Sequence, residues 1–196
     1  MSAPARRLAT WEDILAMGED VHAEILCGEL TIHANPTWEH SQSQAATNND
    51  LFGPFSRGRG GPGGWWILPE LDVALGTGDI LRPDLTGIRK ARFPVLPKER
   101  PLPVDPDFVC EILSPSNRTY DLTDKRAAYH AAGVSHLWYV DPYDRYLEAF
   151  RHSPEGYVLI ATGRDGQVLR IPPFEAIEIV VSDLLPPMAD SSHQEG

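Results

Sequence analysis

The sequence predicts an α/β protein of the α+β type, in which a mixed central β-sheet is flanked by helices. Short segments rich in aliphatic and aromatic residues recur along the chain and are typical of strands. Helix signals are few, and they do not alternate regularly with the strands as they would in a parallel βαβ sheet. A mixed sheet with few helices is therefore expected.

The bulk composition indicates one globular domain. The chain has 196 residues, 42% of them hydrophobic and 23% charged, which fits a single domain over 1–196 with short flexible tails outside about 10–185. No apolar run approaches the roughly 18 residues of a membrane helix, and no secretion signal opens the chain. Two cysteines, Cys27 and Cys110, indicate neither a disulfide framework nor a zinc site. A cytoplasmic protein without a membrane partner is expected.

The charge distribution bears on nucleic-acid binding. A net charge of -11 argues against tight non-specific binding to DNA, because phosphate contacts by Lys and Arg dominate that affinity. Where the charges lie matters more than their sum. Six of the 17 basic residues fall within 82–100: Arg82, Arg89, Lys90, Arg92, Lys98 and Arg100. A loop that approaches a nucleic-acid backbone and a merely solvated loop explain this basic cluster equally well.

The first third of the chain contains two helix signals and one hairpin. Residues 10–17 begin with a capping-box pattern and predict a short helix. Two apolar stretches within 23–32 bracket Cys-Gly-Glu and predict a β-hairpin. A polar helix is expected over about 36–52, with His40 on one face. The Gly-rich segment 57–64 lacks the spacing of a phosphate-binding loop and is expected to be flexible.

The remaining two thirds predict most of the sheet. A long loop rich in Pro and charge covers 89–106, and loops of that length are often functional. A helix is expected over about 122–132, ended by Gly133. Residues 172–185 predict a short strand and one helical turn. The strands are predicted at about 65–68, 71–75, 85–88, 108–113, 136–140, 145–150 and 157–161.

The strand at 108–113 carries a carboxylate in an unusual place. Its side chains alternate, so that Glu111 shares one face with Val109 and Leu113. A carboxylate among apolar neighbours must be paired, hydrated or bound to a metal, because burying it alone is costly. A salt bridge to Lys125 or Arg126 is the alternative to a metal site.

Asp84, Glu111 and Lys125 together suggest phosphodiester hydrolysis. An Asp entering one strand, a Glu inside the next and a Lys one element later can build a magnesium site with an ammonium beside it. Mg²⁺ binds carboxylate oxygens and keeps several waters, and it lowers the pKa of a bound water to yield a nucleophile. The Lys can orient that water and offset the developing charge. A weak surface pair between Lys125 and Asp121 is the simpler alternative for the Lys.

Other polar residues predict structural roles. Ser114 and Ser116 lack the Gly-x-Ser-x-Gly surroundings of a serine nucleophile, so a turn and a helix cap are expected there. No pair of histidines has metal-ligand spacing on a helix. His40 alone is a candidate for function, because it precedes the Gly-rich loop, and a surface or capping role is its alternative.

Several segments together resemble a known family. They are Arg-Pro-Asp-Leu (82–85), Pro-Asp-Phe-Val-Cys-Glu-Ile-Leu-Ser-Pro-Ser (106–116), Tyr-Asp-Leu-Thr-Asp-Lys (120–125), Tyr129, Ala-Gly-Val (132–134) and Leu-Trp-Tyr-Val-Asp-Pro (137–142). This set resembles the Uma2 (Uma-two) family, bacterial proteins labelled as restriction endonucleases within the PD-(D/E)XK nuclease superfamily. The resemblance covers about residues 10–185.

The resemblance implies a restriction-endonuclease-like PD-(D/E)XK core with a divalent-metal site. Asp84 matches the motif Asp, and Glu111 matches the Glu of the (D/E)XK strand, so both would bind Mg²⁺ or Mn²⁺. The superfamily's Lys would stand at position 113, where this chain has Leu. In the Uma2 family the Lys lies on the following helix, which corresponds to Lys125.

Two further residues match family positions with supporting roles, Glu24 and His40. The resemblance thus implies a metal-dependent endonuclease whose partner is nucleic acid, with DNA favoured. The alternative is a catalytically inactive nuclease fold that acts as a nucleic-acid-binding or regulatory dimer, which the acidic charge and the missing strand Lys favour.

A third hypothesis is a dimeric interaction module. A homodimer is expected on the basis of aromatic residues that look exposed in the sequence, although packing in the core explains them at least as well. These residues are Trp138, Tyr139, Tyr143 and Tyr146.

Overall fold

A six-stranded mixed sheet forms the centre of the computed structural model, which describes residues 7–18 and 21–188. Strands β7 and β8 pair in parallel, whereas the other neighbours in this sheet pair antiparallel. The predicted mixed sheet is confirmed. Across the sheet the strands are β10 (Gly156–Arg164), β9 (Tyr146–Ser153), β8 (His136–Asp141), β7 (Phe108–Ile112), β6 (Leu85–Arg89) and β3 (Trp65–Pro69).

A smaller four-stranded sheet carries the predicted hairpin. Its strands run in the order β2 (Glu29–Ile32), β1 (Ala23–Leu26), β5 (Ile80–Leu81) and β4 (Val73–Ala74). The strand predicted at 71–75 is reduced to the two residues of β4. A third sheet contains only β11 (Val168–Leu169) and β12 (Ile179–Val180), which confirms the short strand expected near the C-terminus.

The first two helices are close to their predicted positions. Helix α1 (Trp11–Leu15) begins with a capping box in which Thr10 N–H donates to Asp13 Oδ2 at 2.8 Å. Helix α2 (Trp38–Leu51) runs into a π-helical turn (Phe52–Ser56). The flexible tails predicted at both ends lie outside the described residues, apart from 7–9 and 186–188.

The third helical segment begins four residues earlier than the sequence predicts. It consists of α3 (Arg118–Tyr120), a π-helical turn (Asp121–Lys125) and α4 (Arg126–Ala131). The backbone N–H groups of residues 117 and 118 both donate to the carbonyl of Ser114, so the Ser-Pro turn leads directly into the helix. A 3-10 helix (Val181–Leu184) follows β12. None of the described helices is long and apolar enough to span a membrane.

Apolar clusters cover both faces of the central sheet, and β7 divides its side chains between them. Phe108, Cys110 and Ile112 belong to one cluster, while Val109 and Leu113 belong to the other. The alternation predicted for this strand is therefore observed. As a result, Glu111 points into the second face, where a carboxylate needs partners.

The expectation that four aromatic residues near the β8–β9 hairpin are exposed is wrong for two of them. Trp138 and Tyr139 are fully buried on β8, because that strand lies in the interior of the sheet with both faces covered. Trp138 Nε1 donates to the carbonyl of Pro172 at 3.0 Å, and Tyr139 Oη donates to that of Asp121 at 2.9 Å. These aromatics stabilise the core instead of forming a surface for a second copy.

Gly87→Ala should destabilise the sheet where β6 meets β7. A Cβ at Gly87 would lie 2.9 Å from Cδ1 and 3.0 Å from Cβ of Phe108, its cross-strand partner. Overpacking of this kind costs about 1–3 kcal/mol. Urea unfolding of the variant should show that loss. Gly53→Ala is the control, because the nearest atom to its Cβ would be Arg59 O at 4.0 Å. Equal midpoints for Gly87→Ala and wild type would contradict the predicted close packing.

Candidate functional site

A polar cleft of about 250 Å³ opens where β6 begins and β7 ends. Its position follows from the antiparallel register of these strands, which pairs Leu85 with Cys110. The same register places Asp84, just before β6, opposite Glu111 near the end of β7. Asp84 N–H points at Glu111 Oε2 over 3.4 Å. The two acidic residues that the sequence predicts as metal ligands therefore lie together.

Asp84 is held by contacts from two elements. Its Oδ2 accepts a hydrogen bond from the backbone N–H of Ile112 at 2.7 Å. His40 Nε2, on α2, lies 3.1 Å from Oδ1 and 3.2 Å from Oδ2. Burial lowers the pKa of His40, but the hydrogen bond to Asp84 and the negative charges of nearby carboxylates together outweigh it, and the net pKa is raised. His40 therefore orients this carboxylate, and the supporting role at the site stays a prediction.

Glu111 is almost completely buried, at 2% exposure. Its Oε1 accepts a hydrogen bond from Tyr129 Oη at 2.5 Å and lies 2.7 Å from Lys125 Nζ. Burial raises the pKa of Glu111 well above its usual range; Asp121 and Asp84 raise it further, although Lys125 acts in the opposite direction. A positive charge next to this carboxylate is therefore strongly stabilising.

Lys125 lies among carboxylates from three different elements. Its Nζ is 2.7 Å from Glu111, 3.3 Å from Glu24 and 3.6 Å from Asp121. Burial lowers the pKa of Lys125, but Glu111 and Glu24 raise it well above its usual value. Both alternatives considered from the sequence, a pair with Glu111 and a pair with Asp121, are present. The role predicted for Lys125 beside a bound metal stays a prediction.

Glu24 connects this cluster to the β1–β2 hairpin. Its Oε1 accepts a hydrogen bond from the backbone N–H of Arg82 at 2.7 Å, and its Oε2 lies 2.9 Å from His33 Nε2. Burial raises the pKa of Glu24, but Lys125 and His33 together lower it to about 2. Glu24 is thus an ionised carboxylate that supports the Lys125 ammonium.

Three residues of this cluster have no site role predicted from the sequence: Asp121, Tyr129 and His33. Spacing contains a signal for two of them, since Asp121, Lys125 and Tyr129 follow one another at intervals of four residues and share a helix face. For His33 the signal is the hairpin register, because His22 and His33 lie directly next to the paired residues Ala23 and Ile32. Neither signal identifies which partner each side chain contacts.

The charge of the cleft fits a divalent cation. Five carboxylates line it, against two permanent cations, Arg82 and Lys125. The Arg82 guanidinium is itself paired with Asp72 at 2.7 Å. Burial raises the pKa of Asp121 to about 6; Lys125 lowers it, and the carboxylates of Asp84 and Glu24 raise it. A hard cation would relieve this crowding. The carboxylates are Glu24, Glu70, Asp84, Glu111 and Asp121.

The ligand set is smaller than that of a preformed metal cage. Among residues 7–18 and 21–188, no group of three His, Cys, Asp or Glu side chains is arranged to hold a metal ion. Mg²⁺ is commonly bound through one or two carboxylates while it keeps several waters. Asp84 and Glu111 can therefore serve as its protein ligands without a third side chain.

The basic loop lies away from most of this cleft. Arg89 is the last residue of β6, at the end opposite to Asp84, and Lys90 follows it. Arg89 lies over the Trp65 ring, and Lys90 Nζ donates to Ser56 O. Arg92 pairs with Asp107 at 2.9 Å. Of the six clustered basic residues, Arg82 lines the cleft and the other five do not. The expectation that loop 89–100 approaches a nucleic-acid backbone stays a prediction, and any such contact would lie outside the cleft.

Ser114 and Ser116 line the mouth of the cleft. Their hydroxyls lie 3.2 Å from each other. The turn predicted at these residues is observed, since Ser114 O accepts the hydrogen bonds that begin the following helix. At that helix end, the N-cap residue Asn117 makes no side-chain capping bond.

A family model described as "Putative restriction endonuclease", Uma2, matches residues 9–182. The chain belongs to the Uma2 family. The resemblance inferred from the sequence is thereby confirmed, and the match spans every residue that lines the cleft.

Four chains of solved structures match this Uma2 chain, one of them over 90% of its length. It is the crystal structure of "a putative nuclease belonging to DUF820" from Anabaena variabilis, which is 19% identical in sequence. The TM-score is 0.68, and the match covers 90% of this chain and 97% of the other. At this identity the match shows the shared fold alone. No curated protein matches this chain.

Lys125→Met should strongly destabilise the protein. The variant keeps the length and apolar stem of the side chain but leaves the carboxylates of Glu111 and Glu24 buried without their ammonium. Breaking a buried ion pair costs about 3–5 kcal/mol, and urea unfolding should show a loss of that order. Lys98→Met is the control at an exposed position. If both variants unfold at the same midpoint, the carboxylate cluster does not depend on Lys125.

Proposed function

We propose that this Uma2 protein is a divalent-metal-dependent endonuclease that hydrolyses phosphodiester bonds in nucleic acid, with DNA favoured. The observation that carries the proposal is that Asp84, Glu111 and Lys125 meet in one cleft although they come from three elements. The contacts are Asp84 N to Glu111 Oε2 at 3.4 Å and Lys125 Nζ to Glu111 Oε1 at 2.7 Å. Membership of the Uma2 family supports the same chemistry.

Asp84 and Glu111 are the proposed ligands of Mg²⁺ or Mn²⁺. Their carboxylate oxygens are the ligand type that these hard cations prefer. When bound, the metal would polarise the phosphoryl oxygen and lower the pKa of a coordinated water. The backbone N–H of Ile112 and the His40 ring hold the Asp84 carboxylate. Tyr129 holds one oxygen of Glu111. Each ligand is thus oriented before a cation binds, which favours precise coordination.

Lys125 is the proposed electrostatic catalyst. Its ammonium is held beside Glu111 and is kept charged by the carboxylates around it. A buried cation at this point can orient the attacking water and stabilise the negative charge that develops on the phosphate. Glu24 holds the ammonium from the other side, at 3.3 Å. The Lys thereby takes the part of the superfamily's strand Lys, which Leu113 replaces in this chain.

Titration of Mn²⁺ into wild type and Glu111→Gln tests the metal site. Binding by wild type should be lost or weakened at least tenfold in the variant, since one of two protein ligands is neutralised. Glu155→Gln, at an exposed turn, should bind like wild type.

Cleavage of supercoiled plasmid and of labelled oligonucleotides in Mn²⁺ tests the reaction. Wild type should cut, whereas Glu111→Gln and Asp84→Asn should lose about 100-fold or more of that rate, because they remove the metal that activates the water. An absence of both Mn²⁺ binding and cleavage in wild type would overturn the proposal.

A second candidate function is a nuclease-fold protein that binds nucleic acid or regulates without cutting. The observation in its favour is that the Lys125 ammonium already contacts three carboxylates. A cluster of this kind can be a purely structural salt bridge. The net charge of -11 also favours it. On this hypothesis wild type binds no Mn²⁺, whereas Glu111→Gln still lowers stability, because Lys125 loses its nearest carboxylate.

A homodimer and a cytoplasmic location belong to the proposal as well. Of the four aromatic residues considered, Tyr143 and Tyr146 reach the surface, and Tyr143 Oη lies 2.6 Å from Thr37 Oγ1 near the cleft. Sedimentation equilibrium should give twice the mass of 21.7 kDa. A mass that stays at the monomer value at every concentration would exclude the dimer.

The proposed cytoplasmic location is supported by two free thiols, Cys27 and Cys110, which are consistent with a reducing compartment.

A further inference from the structure

The cleft has two walls of different chemistry. One wall, here called the acidic wall, consists of Asp84, Glu111 and Asp121. The other comes from the β1–β2 hairpin and the residues that flank it, and it contains two imidazoles, one carboxylate and one amide. This hairpin wall consists of His22, Glu24, His33 and Asn35. The proposed nuclease chemistry uses the acidic wall and leaves most of the hairpin wall without a role.

The hairpin wall presents flat rings on a rigid support. The backbone N–H of His33 donates to the carbonyl of His22 at 2.8 Å, which places the two side chains side by side. Their ring centroids are 5.2 Å apart, with the planes at 60°. The Tyr120 ring packs against His33 at 5.1 Å from outside the cleft lining and fixes the His33 ring in place. Because the rings are tilted to one another, a planar heterocycle in the cleft can meet them edge-to-face.

Polar atoms in this wall are buried without full hydrogen bonding. His22 Nε2 is buried and has no hydrogen-bond partner among residues 7–18 and 21–188. Buried polar atoms are nearly always paired, because an unpaired one is costly. Asn35, which is exposed in the cleft, adds an amide with both a donor and an acceptor. The wall therefore offers hydrogen-bonding groups to a polar ligand.

The charge of the wall selects a neutral ligand over a phosphate. Glu24 is ionised at neutral pH, since its pKa is about 2. Burial lowers the pKa of His22, so that imidazole is neutral at the same pH. An anionic phosphate would be repelled by Glu24 and would gain no cation from His22. A nucleobase is neutral, planar and rich in donors and acceptors, and it fits these groups.

The two walls are within the reach of one nucleotide. Glu24 joins them, because its Oε1 lies 3.3 Å from Lys125 Nζ while its Oε2 lies 2.9 Å from His33 Nε2. We propose that the hairpin wall receives one unpaired nucleobase while the adjoining scissile phosphate lies at the acidic wall. The substrate class is therefore single-stranded or locally unpaired nucleic acid. The placement of the scissile phosphate rests on the proposed nuclease function.

The base must be unpaired because the cleft is narrow. A cleft of about 250 Å³ accepts one base between its walls, whereas a base inside a duplex keeps its edge paired and its faces stacked. Weak attraction for duplex backbone agrees with this, since the net charge is -11 and Arg92 and Arg100 are already paired with Asp107 and Asp72. Stacking supplies affinity that does not depend on those basic residues.

Fluorescence anisotropy in EDTA tests the base site without cleavage. The probes are fluorescein-labelled oligo(dT), oligo(dA), oligo(dC) and oligo(U) of equal length, and the blunt duplex of oligo(dA) with oligo(dT). At least one homopolymer should bind about tenfold or more tightly than the duplex, and the homopolymers should differ among themselves. Comparison of oligo(dT) with oligo(U) distinguishes DNA from RNA.

Two variants test the assignment to the hairpin wall. His22→Phe keeps a flat ring but removes Nε2, so it should change the ratio of affinities between the homopolymers by about tenfold while preserving some binding. Asn35→Ala removes an exposed side chain that contributes nothing to the core, and it should change the same ratio. His152→Phe is the matched control: this histidine stacks on His130, does not line the cleft, and should leave every affinity unchanged.

Three results would overturn the base site. They are the absence of binding to every homopolymer, a duplex affinity equal to or higher than theirs, and an unchanged ratio in both folded variants. Failure of the nuclease proposal alone would give a different result. Wild type would then bind single strands with base preference in EDTA but would cut nothing in Mn²⁺, which supports the base site alone.

Discussion

The cleft depends on one buried ammonium. Lys125 contacts carboxylates from the hairpin, from β7 and from its own helix, at 2.7 to 3.6 Å. Desolvating any one of these charges alone is prohibitive, whereas their mutual attraction in a poorly screened interior offsets that cost. The same contacts join the small sheet, the central sheet and the α3–α4 segment around one point. The same ion pairs therefore position the side chains of the proposed site and hold the three elements together.

Asp84 and Glu111 show how such a cluster can serve two functions. Antiparallel pairing of β6 with β7 places their carboxylates together, and burial makes both charges unfavourable unless a cation is near. Lys125 satisfies part of that need. The excess of carboxylates over cations leaves room for a divalent ion with its own waters. An active nuclease and an inactive scaffold would share this geometry. They would differ in whether a bound metal neutralises the remaining negative charge.

The acidic charge of the protein and the chemistry of its cleft both bear on the type of substrate. Steering by a broad basic surface is weak in a chain of net charge -11. The hairpin wall offers rings and neutral hydrogen-bonding groups, so affinity for an unpaired base would come from contacts that salt screens little. Glu24 lies at the boundary of the two walls and fixes Lys125 on one side and His33 on the other.

Local pattern by itself determined a large part of this protein. The period-two alternation of β7 predicted that Glu111 enters an apolar face, and the family segments identified Lys125 as its companion. Only the tertiary structure decided that Trp138 is buried, that the loop after Arg89 lies outside the cleft, and that His33 and Lys125 both contact Glu24. Alternation and capping act between neighbours in sequence, so they can be inferred from it. Burial and side-chain partners depend on strand order and register between distant segments, which no local pattern specifies.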